Sequence, residues 1–131
     1  MDLSPADSQD GDMTTTHEAQ KAETPEDIAR LFVQFANAGD ADAVAGLYEE
    51  NAVMAFPPGS LTAGRTAIRD VISQMLAAAP TFTVEEALPT VISGDLAMTS
   101  TKPSDGTGGR TQVARRQPDG SWLRVLDRPE L

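Results

Sequence analysis

The sequence predicts a small α+β domain: helices first, then a strand-rich half packed against them. Three observations carry this. Helix-spaced apolar residues with capping signals run from Thr24 to Ala79, and alternating patterns broken by tight turns run from Phe82 to Asp127. A length of 131 residues leaves room for one domain. Helices followed by a strand meander is the order in which helices cover one face of a sheet.

Residues 1–23 read as a disordered acidic tail, with residues 24–131 as the domain. The tail holds six acids, one base and few large apolar side chains, so it cannot bury enough surface to offset the entropy of ordering. Its His17 is the single histidine and reads as a solvated tail residue. Thr24 then caps a first helix, with Pro25 at its first position and Asp27 near the positive end of its dipole. Ile28, Leu31, Phe32, Phe35 and Ala36 recur at helical spacing until Gly39 stops the helix. Asp40 caps a second, shorter helix that buries Val44, Leu47 and Tyr48.

Ala52 to Phe56 reads as a short strand ended by Pro57-Pro58-Gly59, and Leu61 to Gly64 as a brief extended return. A third helix is expected from Arg65 to Ala79, with Ile68, Val71, Ile72, Met75 and Leu76 as its apolar stripe. Phe82, Val84 and Leu88 alternate as a strand, and Ser93-Gly94-Asp95 is a turn. Strands are expected over Leu96–Lys102, Arg110–Gln117 and Trp122–Asp127. The glycine-rich stretch Pro103–Gly109 is a loose connection that precedes no helix, so Gly106, Gly108 and Gly109 form no phosphate-cradling loop.

If Asp119-Gly120 is a two-residue hairpin turn, the register follows. Gln112 faces Asp127, Ala114 faces Val125 and Arg116 faces Leu123 on one side of the sheet. Val113 with Leu126, Arg115 with Arg124 and Gln117 with Trp122 occupy the other. A three- or four-residue loop would break this register.

Composition narrows the function classes. A net charge of −10 repels phosphate backbones, so nucleic acid is not an expected partner. No apolar run is long enough for a transmembrane helix, the polar N-terminus is unlike a signal peptide, and the expected location is the cytoplasm. With no cysteine and one histidine there is no thiolate chemistry, no serine–histidine pair and no metal-ligand cluster, and no cofactor is expected.

The stretch from Phe32 to Ile68 resembles the nuclear-transport-factor-2-like superfamily, which includes ketosteroid isomerases and SnoaL-like polyketide cyclases. The residues that carry the likeness are Ala38-Gly39-Asp40, Leu47-Tyr48, Asn51-Ala52-Val53, Pro57 and Gly64-Arg65 before Ala67-Ile68. The ending from Arg115 to Trp122, with Asp127-Arg128-Pro129, is similar to the SgcJ/EcaC-type branch, some of whose members occur in enediyne antibiotic biosynthesis. The resemblance covers residues 25–129. It implies a cystatin-like cone, a curved antiparallel sheet closed by three helices around a cavity, and homodimers joined through the outer sheet faces.

Carried over residue by residue, the isomerases' general-base aspartate falls on Phe56 and their oxyanion-hole tyrosine on Phe32. Neither phenylalanine can take or donate a proton, so that chemistry is absent here. Their second acid falls near Gln112, whose cross-strand partner would be Asp127. A half-buried Asp127, with Gln112 beside it, is the candidate general acid or base; the alternative is a structural hydrogen bond, to Arg116 or Arg128. Phe32, Phe35, Tyr48, Met54, Phe56, Met75, Phe82 and Met98 are collectively the candidate pocket lining, while any one of them taken singly reads first as ordinary core. Arg110, Arg115, Arg116, Arg124 and Arg128 read as a solvated strand face, or alternatively as a seat for an anionic group.

Three functions compete: a binder of a hydrophobic polyketide or polyene intermediate, a cyclase- or isomerase-type enzyme using Asp127, and an accessory subunit docked on a polyketide synthase.

Overall fold

The computed structural model describes residues 20–78, 80–105 and 108–129. The expectations for His17, for most of the tail, for Ala79 and for Gly106 lie outside these residues.

Three helices form where the caps allow them: α1 (Asp27–Asn37), α2 (Ala41–Ala45) and α3 (Arg65–Leu76). Ahead of α1, the Thr24 hydroxyl accepts from the Asp27 amide at 3.3 Å while the Asp27 carboxylate accepts from the Thr24 amide at 3.3 Å. This reciprocal arrangement is a capping box, with Asp in place of the usual Glu. Gly39, at φ 73°, closes α1: its amide bonds the Ala36 carbonyl and the Asp40 amide bonds the Phe35 carbonyl, the Schellman pattern that a left-handed residue makes possible. Asp40 then caps α2 by accepting from the Ala43 amide at 3.0 Å.

Ile28 and Leu31 of α1, Val44 of α2 and Ile68 and Ile72 of α3 are all at most 2 % exposed. Each such side chain contributes about 1.5–3 kcal/mol by burial. They pack on the concave face of a seven-stranded, unclosed sheet. Its strands are β1 (Tyr48–Met54), β2 (Thr62–Ala63), β3 (Glu86–Ala87), β4 (Val91–Ser93), β5 (Leu96–Lys102), β6 (Arg110–Arg116) and β7 (Trp122–Arg128). The order is β2-β1-β7-β6-β5-β3, with β4 also paired to β5.

Several expectations are corrected. The sheet is mixed: β1 and β7 run parallel. The chain between them passes through β2, α3 and the whole meander, and only so long a connection permits parallel pairing. Tyr48 opens β1 instead of ending α2, because α2 stops at Ala45 and the Leu47 carbonyl already accepts from the Arg124 amide at 2.8 Å. Phe56 lies beyond the end of β1 at Met54. The segment holding Phe82, Val84 and Leu88 is a strand at Glu86 and Ala87 alone, the Leu88 amide adding one bond to the Ser100 carbonyl at 2.9 Å, and Val84 is 62 % exposed.

The packed part of the chain also starts earlier than residue 24. Ala22 is 1 % exposed, its carbonyl accepts from the Trp122 amide at 2.9 Å, and Lys21 pairs with Asp119 at 2.9 Å. Ala22 is small and apolar enough to enter the core beside Trp122, which composition averaged over residues 1–23 could not reveal. Among the described residues no helix is long and apolar enough to cross a membrane.

The last hairpin positions the site. Its turn is a three-residue loop, Pro118-Asp119-Gly120, with the Gln117 amide on the Ser121 carbonyl at 2.7 Å and Gly120 at φ 89°. The Asp119 carboxylate accepts from both the amide and the hydroxyl of Ser121. The inner pairs therefore slip by one from the expected register, giving Ala114↔Arg124, Arg115↔Leu123 and Arg116↔Trp122. A bulge at Val125 restores it, so Gln112↔Asp127 and Val113↔Leu126 pair as expected.

Candidate functional site

Strict alternation would send Arg124 and Asp127, three residues apart, to opposite faces of β7. The bulge turns both inward: each is 5 % exposed. There they meet Tyr48, at the start of the neighbouring strand, and Gln112, across the hairpin.

The Tyr48 hydroxyl donates to Asp127 Oδ2 at 2.5 Å, and Gln112 Nε2 donates to Asp127 Oδ1 at 3.2 Å. Arg124 Nη1 donates to the Tyr48 oxygen at 3.3 Å and stands 3.6 Å from Asp127 Oδ2. Burial, then the negative charge of Asp127, push the Tyr48 phenol well above its ordinary value of 10.0, so it is a fixed donor. Burial works against the charge of Arg124 while the Tyr48 oxygen and Asp127 work for it; the net direction is upward, and the guanidinium stays cationic. It lies over the Phe32 ring at 5.5 Å and the Tyr48 ring at 5.8 Å.

This cluster floors a pocket of about 140 Å³ between α1, α3 and the sheet. Phe32 and Val33 of α1, Met75 of α3 and Phe82 form its apolar wall, and Gln112, Arg124 and Asp127 face it from the sheet. Phe32 and Phe82 meet edge to face with centroids 5.9 Å apart. Asn37 holds Phe82 in place: its amide donates to the Phe82 carbonyl at 3.0 Å and accepts from the Phe82 amide at 2.8 Å, as a neighbouring strand would. At the rim Glu85 accepts from Arg110 Nε at 2.8 Å and from the Thr101 hydroxyl at 2.8 Å. The bond from Arg110 is the main cause that holds the Glu85 carboxyl below its ordinary value.

The structure thus brings Phe32, Met75, Phe82, Gln112 and Asp127 together at one pocket. Tyr48 lies behind the floor, fully buried. Phe35 and Met54 are core residues, and Phe56 packs at the edge of the core away from the pocket. Met98 is a correction: it points outward from β5, 43 % exposed, because it pairs with the outward-facing Val113. Arg124 is a second correction. It leaves the solvated face assigned to it and becomes the partner of Asp127, in place of Arg116 and Arg128. Trp122, expected on the outer face, is 6 % exposed and turned inward by the same register slip.

Sequence reasoning missed Arg124, Asn37 and Glu85. For Arg124 a signal existed. Pro118-Asp119-Gly120 suits a type I turn followed by a left-handed glycine, the commonest three-residue hairpin loop, and that loop slips the register. For Asn37 and Glu85 the partners lie 45 and 25 residues away, and no local pattern announces them.

With apolar walls and a floor of buried polar groups, the pocket can hold a mostly apolar molecule by one polar end. Asp127 is the one carboxylate on the floor, and proton exchange with a bound molecule would run through it. Among the described residues no group of three or more His, Cys, Asp and Glu could hold a metal ion.

The SnoaL-like domain family matches residues 28–127, from α1 to the floor aspartate. No curated protein matches the chain. Among solved structures, an NTF2-like protein with a cystatin-like fold from Novosphingobium aromaticivorans is similar at a TM-score of 0.62 and 22% identity, over 79% of this chain and 76% of that one. A ketosteroid isomerase-like protein from Erwinia carotovora atroseptica is similar at a TM-score of 0.60 and 20% identity, over 79% of this chain and 89% of the other. At such identities the likeness is one of fold.

Proposed function

The chain belongs to the SnoaL-like domain family, and from that premise we propose that it binds an apolar small molecule in the pocket between α1, α3 and the concave sheet face. The observation that carries this reading is the contrast inside the pocket: the Phe32–Phe82 pair and Met75 wall a space floored by Gln112, Arg124 and Asp127. A core that only had to be stable would fill that space.

Size bounds the ligand. The pocket measures about 140 Å³, close to the ~150 Å³ cavity that takes one benzene. It accepts a ring-sized group, and a larger molecule would leave the rest of its body at the open side. A polyketide or polyene intermediate, the class that the sequence resemblance implies, fits as a chain or fused system with one terminal ring inserted. Biosynthesis of an enediyne-type secondary metabolite is the setting proposed with it.

Extraction of the purified protein followed by mass spectrometry, with calorimetric titration of what is recovered, tests the reading. Phe82→Ala should weaken binding about two- to tenfold, the worth of an aromatic pair contact. Unchanged affinity in that variant would remove the pocket from consideration.

A second reading is favoured by one observation, the carboxylate of Asp127 on the pocket floor. In it the same ligand undergoes a cyclase- or isomerase-type proton transfer. Asp127→Asn should then lower turnover by roughly 10²–10⁴ while ligand affinity holds. Normal turnover in that variant would leave binding alone.

The outer sheet face supports a homodimer. Val91, Met98, Val113, Leu126 and Val53 form one apolar row across five strands, and Val91, Met98 and Leu126 are 58%, 43% and 52% exposed. Contact with a polyketide synthase through this face is the competing use of the same row.

A further inference from the structure

Among the described residues, Arg124 Nε is the buried side-chain nitrogen or oxygen left without a hydrogen-bond partner. The side chain is 6 % exposed and lines the pocket. Its Nη1 reaches the Tyr48 oxygen at 3.3 Å, and its nearest approach to Asp127 is 3.6 Å, too long for a hydrogen bond. The aromatic faces of Phe32 and Tyr48 take up part of its surface and offer no acceptor. Asp127, by contrast, has each carboxylate oxygen engaged, one by Tyr48 and one by Gln112. The buried polar atom left unmatched on the floor is therefore a donor. A buried donor left unmatched is costly, and a bound molecule that brings an acceptor relieves that cost.

The charges around the floor decide which acceptor. Arg124 faces Asp127, and Arg110 faces Glu85. The pocket is thus balanced, inside a chain whose net charge is −10. A carboxylate ligand at Arg124 would sit within a few ångströms of Asp127 and be repelled by it. A carbonyl oxygen accepts without bringing a charge, and unlike a hydroxyl it brings no donor of its own that would need an acceptor in turn.

We propose that Arg124 is the specificity-determining residue of this pocket, and that it binds the carbonyl oxygen of a neutral ketone or aldehyde whose ring packs against Phe32, Phe82 and Met75. The inference rests on the reading of the pocket as a small-molecule site and adds the chemical class of the molecule's polar end.

Acetophenone, ethylbenzene and benzoate match one another closely in size and differ in that polar end. Each is titrated calorimetrically into the full chain, while the Arg124 Nε–H resonance is followed in ¹⁵N-labelled protein. Acetophenone should bind about tenfold tighter than ethylbenzene, the scale of one hydrogen bond to a charged donor. It should also move the Arg124 resonance, and benzoate should bind more weakly than acetophenone. In Arg124→Met the preference for the ketone should vanish while ethylbenzene still binds, and Arg124→Lys should keep part of it. If Arg124→Met does not fold, the wild-type affinity ratio and the Arg124 resonance decide the matter.

Equal affinity for ketone and hydrocarbon, with the resonance unmoved, overturns the role of Arg124 and leaves the pocket standing as an apolar site. Benzoate as the tightest ligand overturns the neutral class in favour of an anion. No binding of any of the three overturns both the role of Arg124 and the ring-sized pocket.

Discussion

The two faces of the β6–β7 hairpin invert the usual arrangement. Gln112, Arg124 and Asp127 point inward and are 5–6 % exposed, while Val113 and Leu126 point outward, Leu126 with 52 % of its surface in solvent. Buried charge and exposed large apolar side chains are each informative when they occur, because neither is what stability alone selects. Here they lie back to back on two strands. The inner face forgoes packing for a polar floor under a pocket, and the outer face keeps an apolar row that the isolated chain does not cover. The contrast sets the polar floor of a pocket against an exposed apolar row within one hairpin.

The largest expected effect breaks the inner face. Asp127→Ala leaves the Arg124 guanidinium buried without its counter-charge. Removing one partner of such a pair costs about 3–5 kcal/mol, to be read as a lower urea midpoint at unchanged slope. A loss under about 1 kcal/mol would mean that water reaches Arg124 freely and that the floor is not buried.

Tyr48→Phe is a gentler version of the same test. It deletes the hydroxyl that donates to Asp127 and accepts from Arg124. The expected cost is about 1–3 kcal/mol, and a near-neutral result would show the two charges closing on each other directly.

At the rim, Glu85 sharpens the comparison through pH. Its folded carboxyl titrates below the ordinary 4.5, with its bond from Arg110 as the main cause. A depressed carboxyl stabilises the fold above its unfolded value, and that contribution is lost as pH falls through the folded one. Stability should therefore drop below about pH 4.5, and Glu85→Gln should flatten that part of the curve. An unchanged acid limb in Glu85→Gln would show that the ion pair at the pocket rim does not hold the fold.

The outer face should give the smallest effect on folding and the clearest on assembly. Leu126→Asp changes an exposed side chain, so the stability of one chain should move by about 0.5 kcal/mol or less. Light scattering should show the wild-type mass halved in this variant. A monomeric wild type would leave the apolar row without the partner proposed for it.

Local rules made much of the fold legible. The capping pair Thr24 and Asp27, the Gly39–Asp40 corner and the stripe through Ile68 and Ile72 placed the helices within a few residues of where they stand. The turn at Gly94 and the limits of β5 were equally readable, because turn chemistry and alternation act over two to four residues. Cross-strand counting from a two-residue turn also paired Gln112 with Asp127, a pair that holds because the bulge at Val125 offsets the extra turn residue. What escaped was the step between these scales. Whether the last hairpin turns in two or three residues, and where a bulge absorbs the difference, depends on packing: Trp122 is drawn inward beside Ala22, and the Leu47 carbonyl takes the Arg124 amide. A slip of one residue exchanges the faces of a strand. The sequence alone determined the order of the elements apart from β4, the limits of β5 and a side-chain chemistry with no cysteine and a single histidine. Only the tertiary structure decided that Arg124 lies inside and Met98 outside, because that choice is set by contacts between segments far apart in the chain.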